Sequence, residues 1–253
     1  MVMATVPGPF AQTGLAVVTP FDFALDRELW RWAPDLVTVH LNRVGYVTVP
    51  VGVELALAVN SHVAVRQATL ELVATAPRVC AYLCSSGSFV GGLEAERALV
   101  HDMTSAGMPQ AVTTSGAMLE ALAHLGVSRV SVATPYVEEL AERLEAFLAE
   151  AGVRTVYAAH LGLPGGIWQV PYDGVVDLVL AADHPEAEAI FVSCTNLPTY
   201  DVIAPLEREL GKPVLTASQV TIWAALRRMG LAAVGPEQRL LSAPAQPEDE
   251  IVA

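Results

Sequence analysis

Basic charge is scarce in this chain. Lys212 is its one lysine, and 14 Lys and Arg stand against 27 Asp and Glu, a formal net charge of −13 at pH 7. No basic stripe exists to follow a phosphate backbone, so nucleic acid is excluded as a partner. Small anions are not excluded with it, because backbone amides and hydroxyls bind them locally. Long apolar runs are missing too. Pro, Gly, Asn or a charge interrupts each one well before the roughly 20 residues of a membrane span, so no membrane is expected. The opening "MVMATVPGPF" carries neither a basic stretch nor a long apolar core, and no secretory signal is read there. Cysteine is rare as well. Cys80, Cys84 and Cys194 make no disulfide framework, which fits a reducing, cytoplasmic setting. No Cys or His follows Cys80 and Cys84 at finger-like spacing, so no metal is expected.

What is abundant is hydrophobic residue, at 53%, enough for one large core or two small ones. Short β-branched runs predict strands over 14–18, 36–40, 79–83 and 110–113, then over 129–133, 153–157, 189–193 and 213–216. Amphipathic stretches alternate with them. In 137–150, "VEELAERLEAFLAE", Leu140, Leu144, Phe147 and Leu148 share one helix face and the charges the other. The two sets repeat each other. "VVTPF" at 17–21 returns as "VATPY" at 132–136, and "YLCSS" at 82–86 as "FVSCTN" at 191–196. "GMPQAVTTSGAMLEALAHLG" at 107–126 returns as "GKPVLTASQVTIWAALRRMG" at 211–230, with Gly107/Gly211, Pro109/Pro213 and Gly126/Gly230 at one offset of 104. The predicted fold class is α/β, with two pseudo-symmetric lobes, each a mostly parallel four-stranded sheet flanked by helices. Lobe 1 is expected to take residues 1–116 and 219–253, and lobe 2 residues 117–218.

Ligands of open α/β sheets sit beyond the C-terminal strand ends. Two facing lobes would therefore bring Cys84 and Cys194 to one cleft from opposite sides. Each is followed by small hydroxyl residues, and a helix N-terminus there would receive an anion and lower the thiol pKa. Cys80 lies inside its strand and reads as packing. The histidines, His40, His101 and His160 among them, sit in no recurring motif. "SGSFVGG" at 86–92 lacks both the phosphate-loop ending and the dinucleotide glycine spacing, and Gly91 and Gly92 read as a flexible lead into the next helix. "GLPGGIW" at 162–168 reads equally as a plain connection or as a cleft wall. The tail from Pro236 is expected to fray.

In these motifs, "YLCSSGSFVGG", "VATPYVEELAERLEAFLAE", "FVSCTNLP" and "GKPVLTASQ", the chain resembles the aspartate/glutamate racemase superfamily. Within it the likeness is to the branch of maleate cis-trans isomerases and arylmalonate decarboxylases, from about residue 14 to residue 231. The resemblance implies catalytic thiols at Cys84 and Cys194. It implies a carboxylate cradle from Ser85, Ser86 and Tyr136, with the backbone amide of Thr195 added. Asp22 stands where maleate isomerases carry a substrate-binding Asn, and "VPVGVE" at 49–54 resembles their turn before a cleft-lining helix. Arylmalonate decarboxylases have glycine at the first thiol position, so Cys84 favours isomerase or racemase chemistry. Asp22 counts against maleate itself, because an ionised carboxylate there repels a second carboxylate. The expected activity is a cofactor-independent, two-cysteine isomerase, cis-trans or racemising, acting on a small carboxylic acid. A decarboxylase using Cys194 as proton donor is the alternative, and a non-catalytic small-molecule binder the second. Relatives are often oligomeric, so a homo-oligomer is compatible with the resemblance.

Overall fold

The computed structural model describes residues 11–243. The opening ten residues and the last ten, on which the leader reading and part of the tail reading rest, lie outside them. Among the described residues eight strands form two separate four-stranded sheets. β1 (Thr13–Thr19), β2 (Val37–Arg43), β3 (Val79–Tyr82) and β4 (Ala111–Thr113) are ordered β2-β1-β3-β4. β5 (Arg129–Thr134), β6 (Arg154–His160), β7 (Ala189–Val192) and β8 (Val214–Thr216) repeat that order as β6-β5-β7-β8. Every pairing is parallel. Parallel strands covered by helices on both faces need apolar residues at every position, not at alternate ones. "VCAY" in β3 and "AIFV" in β7 are accordingly buried throughout. All eight sequence-predicted strands are present, with ends moved by no more than three residues.

The repeat is looser in space than the sequence offset of 104 implies. Thr113 and Thr216 are the N-caps of the helices Thr114–His124 and Ala217–Arg228, and they are 103 residues apart. The second helix is one residue longer, which restores 104 at its end. Gly126 and Gly230 there take φ of +67° and +73°, the left-handed conformation that lets a chain leave a helix. These two helices pack on each other, and Ala217–Arg228 crosses from β8 to lie against β3 and β4. The sequence divisions at 116/117 and 218/219 fall within their first turns.

The tail corrects an expectation. Residues 236–243 do not fray but close over the core. Leu240 is buried, and the Gln238 side-chain oxygen accepts from Trp32 Nε1 at 3.0 Å and Gln219 Nε2 at 2.9 Å. Buried Glu207 accepts the Arg239 amide at 2.9 Å. Composition reads Pro and acid as solvated, but the alternating Leu240 and Gln238 supply what a docked segment needs. Among the described residues, no helix is long and apolar enough to cross a membrane.

Candidate active site

The registers of the two sheets bring the cysteines to equivalent points. Val18 pairs with Tyr82 and Ala133 with Val192 at the last rungs of their ladders. One more backbone bond follows in each, from Leu83 N to Val18 O at 2.8 Å and from Ser193 N to Ala133 O at 2.9 Å. The chain then leaves the sheet, and the next residue is Cys84 in one case and Cys194 in the other. Both thiols reach one cleft of about 440 Å³ including its mouth. Ser85, Ser86, Tyr136, Thr195 and Asp22 line the same cleft, so all seven residues singled out in the sequence come together.

The two cysteines are held differently. Cys84 is the N-cap of the short helix Ser85–Phe89, and its Sγ accepts the Gly87 amide at 3.3 Å. Ser86 Oγ lies 3.8 Å from the same sulfur. Cys194 is followed by a turn, not a helix, closed by Leu197 N to Cys194 O at 3.2 Å; the next helix begins at Ile203. Its φ is +89°, a conformation that costs a residue with a Cβ of order 1–3 kcal/mol. The expectation of a helix end at both thiols is therefore corrected at Cys194.

The expected drop in thiol pKa is also corrected. Burial pushes Cys84 up to about 11, against the Gly87 amide and the Tyr82 and Ser86 hydroxyls, which favour its thiolate. Burial pushes Cys194 up to about 12, against the Asn196 amide and the Tyr136 hydroxyl. No lysine, arginine or histidine lines the cleft among the described residues. Without a cation, a handful of neutral donors does not offset the lost hydration of a thiolate. Cys80, inside β3 and away from the cleft, is likewise raised to about 12 by burial.

Two staples cross the cleft. The Cys194 amide donates to Ser85 Oγ at 3.2 Å, and Thr195 Oγ1 donates to Leu83 O at 3.4 Å. Ser85 thus fixes the second cysteine as well as facing the cavity. Behind it, the Ser88 hydroxyl lies 2.7 Å from both Cys84 O and Ser115 Oγ, tying the short helix to its neighbour. Tyr136 is buried, edge-on to Phe89, and burial holds its phenol well above its usual range. Asp22 stands at the mouth, exposed on its outer side, its carboxyl raised by partial burial.

The sequence reading passed over several contributors. Asn196 clamps the Asp22 segment: its Oδ1 accepts the Ala24 amide and its Nδ2 donates to Asp22 O, each at 3.0 Å. Its position directly after the cysteine and threonine was the available signal. Gly87 is required by contact. A Cβ there would overlap the Tyr82 hydroxyl and lie 3.0 Å from Cys84 Sγ. Tyr82 itself donates to Val59 O at 2.8 Å. The remaining wall is apolar: Phe23, Val51, Leu55, Val59 and Ile167. Leu55 and Val59 come from the helix Val53–Val59 that follows the "VPVG" turn. Ile167 makes the 162–168 loop a cleft wall, and Val51 N donates to Pro164 O at 2.9 Å, joining loop to turn over the cavity.

Comparison with known proteins agrees with this architecture. The model of a family described as arylmalonate decarboxylase matches residues 58–241. An arylmalonate decarboxylase from Bordetella bronchiseptica is 38% identical over 60% of this chain and 65% of its own length, so that match spans less than two thirds of the relative. A maleate isomerase from Nocardia farcinica is 30% identical over 66% of this chain and 70% of its own. Among solved structures, a liganded arylmalonate decarboxylase with one glycine changed to cysteine and one cysteine to serine has a TM-score of 0.84. It is 31% identical, over 92% of this chain and 100% of that one. A cysteine-to-serine mutant of the Nocardia farcinica maleate cis-trans isomerase, carrying a covalently bound succinylcysteine intermediate, has a TM-score of 0.81. It is 25% identical, over 92% and 99% of the two chains. The chain belongs to the arylmalonate decarboxylase family.

Proposed function

We propose that this protein is a cofactor-independent isomerase in which Cys84 and Cys194 act on one small carboxylic acid from opposite sides. The observation that carries the reading is the pair of thiols at equivalent strand ends of two like sheets, both lining one cleft. Opposed sulfurs suit racemisation, in which one thiolate removes an α-proton while the other thiol delivers one to the far face. They also suit cis-trans isomerisation, in which a thiolate adds to an activated double bond, the new single bond rotates, and the thiolate leaves. Ser85, Ser86, Tyr136 and the Thr195 amide would hold the carboxylate and the charge that develops on it. Burial holds both thiols above their ordinary value, and either can serve as base while the other serves as acid, as interconversion in both directions requires.

A second reading has its own support in the matched family and in the Bordetella bronchiseptica relative. A decarboxylase needs one protonating thiol, and Cys194 would supply it. Single substitutions separate the two. Cys84→Ala and Cys194→Ala should each abolish isomerisation. Full activity in Cys84→Ala removes the two-thiol mechanism. Decarboxylation of an arylmalonate retained in Cys84→Gly and lost in Cys194→Ser would establish the one-thiol reaction instead.

A further inference from the structure

The charge of the cleft is one-sided. Among the described residues Asp22 is its one charged lining residue, and every other polar group there is a neutral donor or a thiol. The carboxylate is also held in place by construction. Asn196, two residues beyond Cys194, grips Asp22 O and the Ala24 amide, so the segment bearing Asp22 is fixed to the loop bearing the second thiol. Those bonds use only the backbone of the segment, and Asp22 itself lines the cleft. Asp22 lines the same cleft as Cys84 and Cys194, which puts its carboxylate close to the reacting centre. Beyond it the wall is hydrocarbon, from Phe23, Val51, Leu55, Val59 and Ile167.

The neutral donors suffice for one carboxylate, which hydroxyls and amides accept without a counter-ion. A second carboxylate would have to enter beside Asp22 with no cation to offset either charge, a like-charge contact in a partly desolvated site. The hydrocarbon wall offers it nothing in exchange. An apolar substituent in the same place gains contact and meets no repulsion.

We propose that Asp22 is a specificity-determining residue that restricts this site to monocarboxylic acids bearing an apolar substituent on the α-carbon and rejects dicarboxylates. The inference rests on the carboxylic-acid reading of the cleft and narrows its substrate class. For such an acid the two-thiol reaction is a racemisation. The Cys84 thiolate takes the α-hydrogen as a proton, leaving an enediolate whose charge the neutral donors hold. Cys194 gives its S–H proton to the opposite face, so the inverted acid leaves with Cys84 protonated and Cys194 as thiolate. Exchange with solvent, or the reverse turnover, returns the starting state.

The test is calorimetric titration of the full chain with racemic 2-phenylbutanoate and racemic phenylsuccinate, which differ by a methyl against a carboxylate. The wild-type protein is expected to bind phenylsuccinate at least tenfold more weakly. Asp22→Asn should shrink that Kd ratio at least tenfold, and Asp22→Ala carries the same expectation should the amide variant not fold. Equal affinity for both acids in the wild-type protein, or a ratio that neither substitution moves, overturns the proposal. Binding is read apart from turnover. Selectivity without isomerisation sinks the two-thiol reaction and leaves the selector standing; isomerisation with equal affinities sinks the selector alone.

Discussion

Cys194 occupies a backbone conformation that a glycine would adopt at no cost, and this inverts the ordinary ranking of two substitutions. At φ of +89° an alanine keeps the strain, of order 1–3 kcal/mol, that the cysteine bears. Glycine releases it but adds about 0.5–1 kcal/mol of backbone entropy to the unfolded chain. It also forgoes the burial of one methyl, at most about 0.8 kcal/mol at this partly buried site. Taking the upper half of the strain range, Cys194→Gly should be the more stable of the two by about 1 kcal/mol. At Cys84, φ is −154°, extended backbone that any residue adopts, so nothing offsets the entropy of glycine. There Cys84→Ala should exceed Cys84→Gly by about 1.3–1.8 kcal/mol, the entropy term plus one buried methyl. Urea denaturation of the four variants at pH 7 reads both differences, and each kcal/mol corresponds to roughly 2–4 °C in Tm for a chain of this size. All four lack a thiol, so functional loss does not enter the comparison. Cys194→Ala as stable as Cys194→Gly would refute the claim that the second thiol is held under strain.

The three thiols give stability a sign with pH. Their folded pKa values, about 11 for Cys84 and about 12 for Cys80 and Cys194, lie above the ordinary value of 9.0. The folded state therefore keeps its thiol protons longer than the unfolded one, and the stability this contributes is complete below pH 9 and lost as pH rises toward 12. Urea midpoints should fall from pH 8 to pH 10.5, and Cys80→Ala should flatten that slope. Gly87→Ala drives a methyl into the Tyr82 hydroxyl and against Cys84 Sγ. It should cost about 1–3 kcal/mol and reduce kcat, whereas Gly45→Ala, with open space around it, should do neither. Ser85→Ala strips the Cys194 amide of its acceptor and should cost about 1–3 kcal/mol by thermal melt, with a larger loss in kcat/KM.

The fold was legible because parallel strands write themselves as unbroken apolar runs. "LAVV", "VCAY" and "AIFV" are buried on both faces, and their shortness and β-branched content point to strands of a covered sheet. The site residues were legible because the repeat placed one cysteine at the same strand end in each half. What sits across the cleft was not. Asn196 reaches Ala24 over 172 positions, and Ile167 joins the cleft lining through a loop whose composition suits any connection. The electrostatics also escaped the sequence. A thiol pKa depends on which cations surround it, and among the described residues no Lys or Arg lines the cleft. The docked residues 238–242 escaped for a similar reason, since the acceptors and donors they meet lie on Trp32, Glu207 and Gln219.

The central claim, that two opposed thiols exchange a proton across one carbon, is tested most directly by deuterium incorporation. Each enantiomer of 2-phenylbutanoate is incubated with the wild-type protein, Cys84→Ala and Cys194→Ala in D2O, and followed by NMR and chiral chromatography. The account predicts inversion with α-deuteration from either enantiomer in the wild-type protein, and loss of inversion by about 10²–10⁴-fold in each variant. Inversion at the wild-type rate in Cys84→Ala would contradict it.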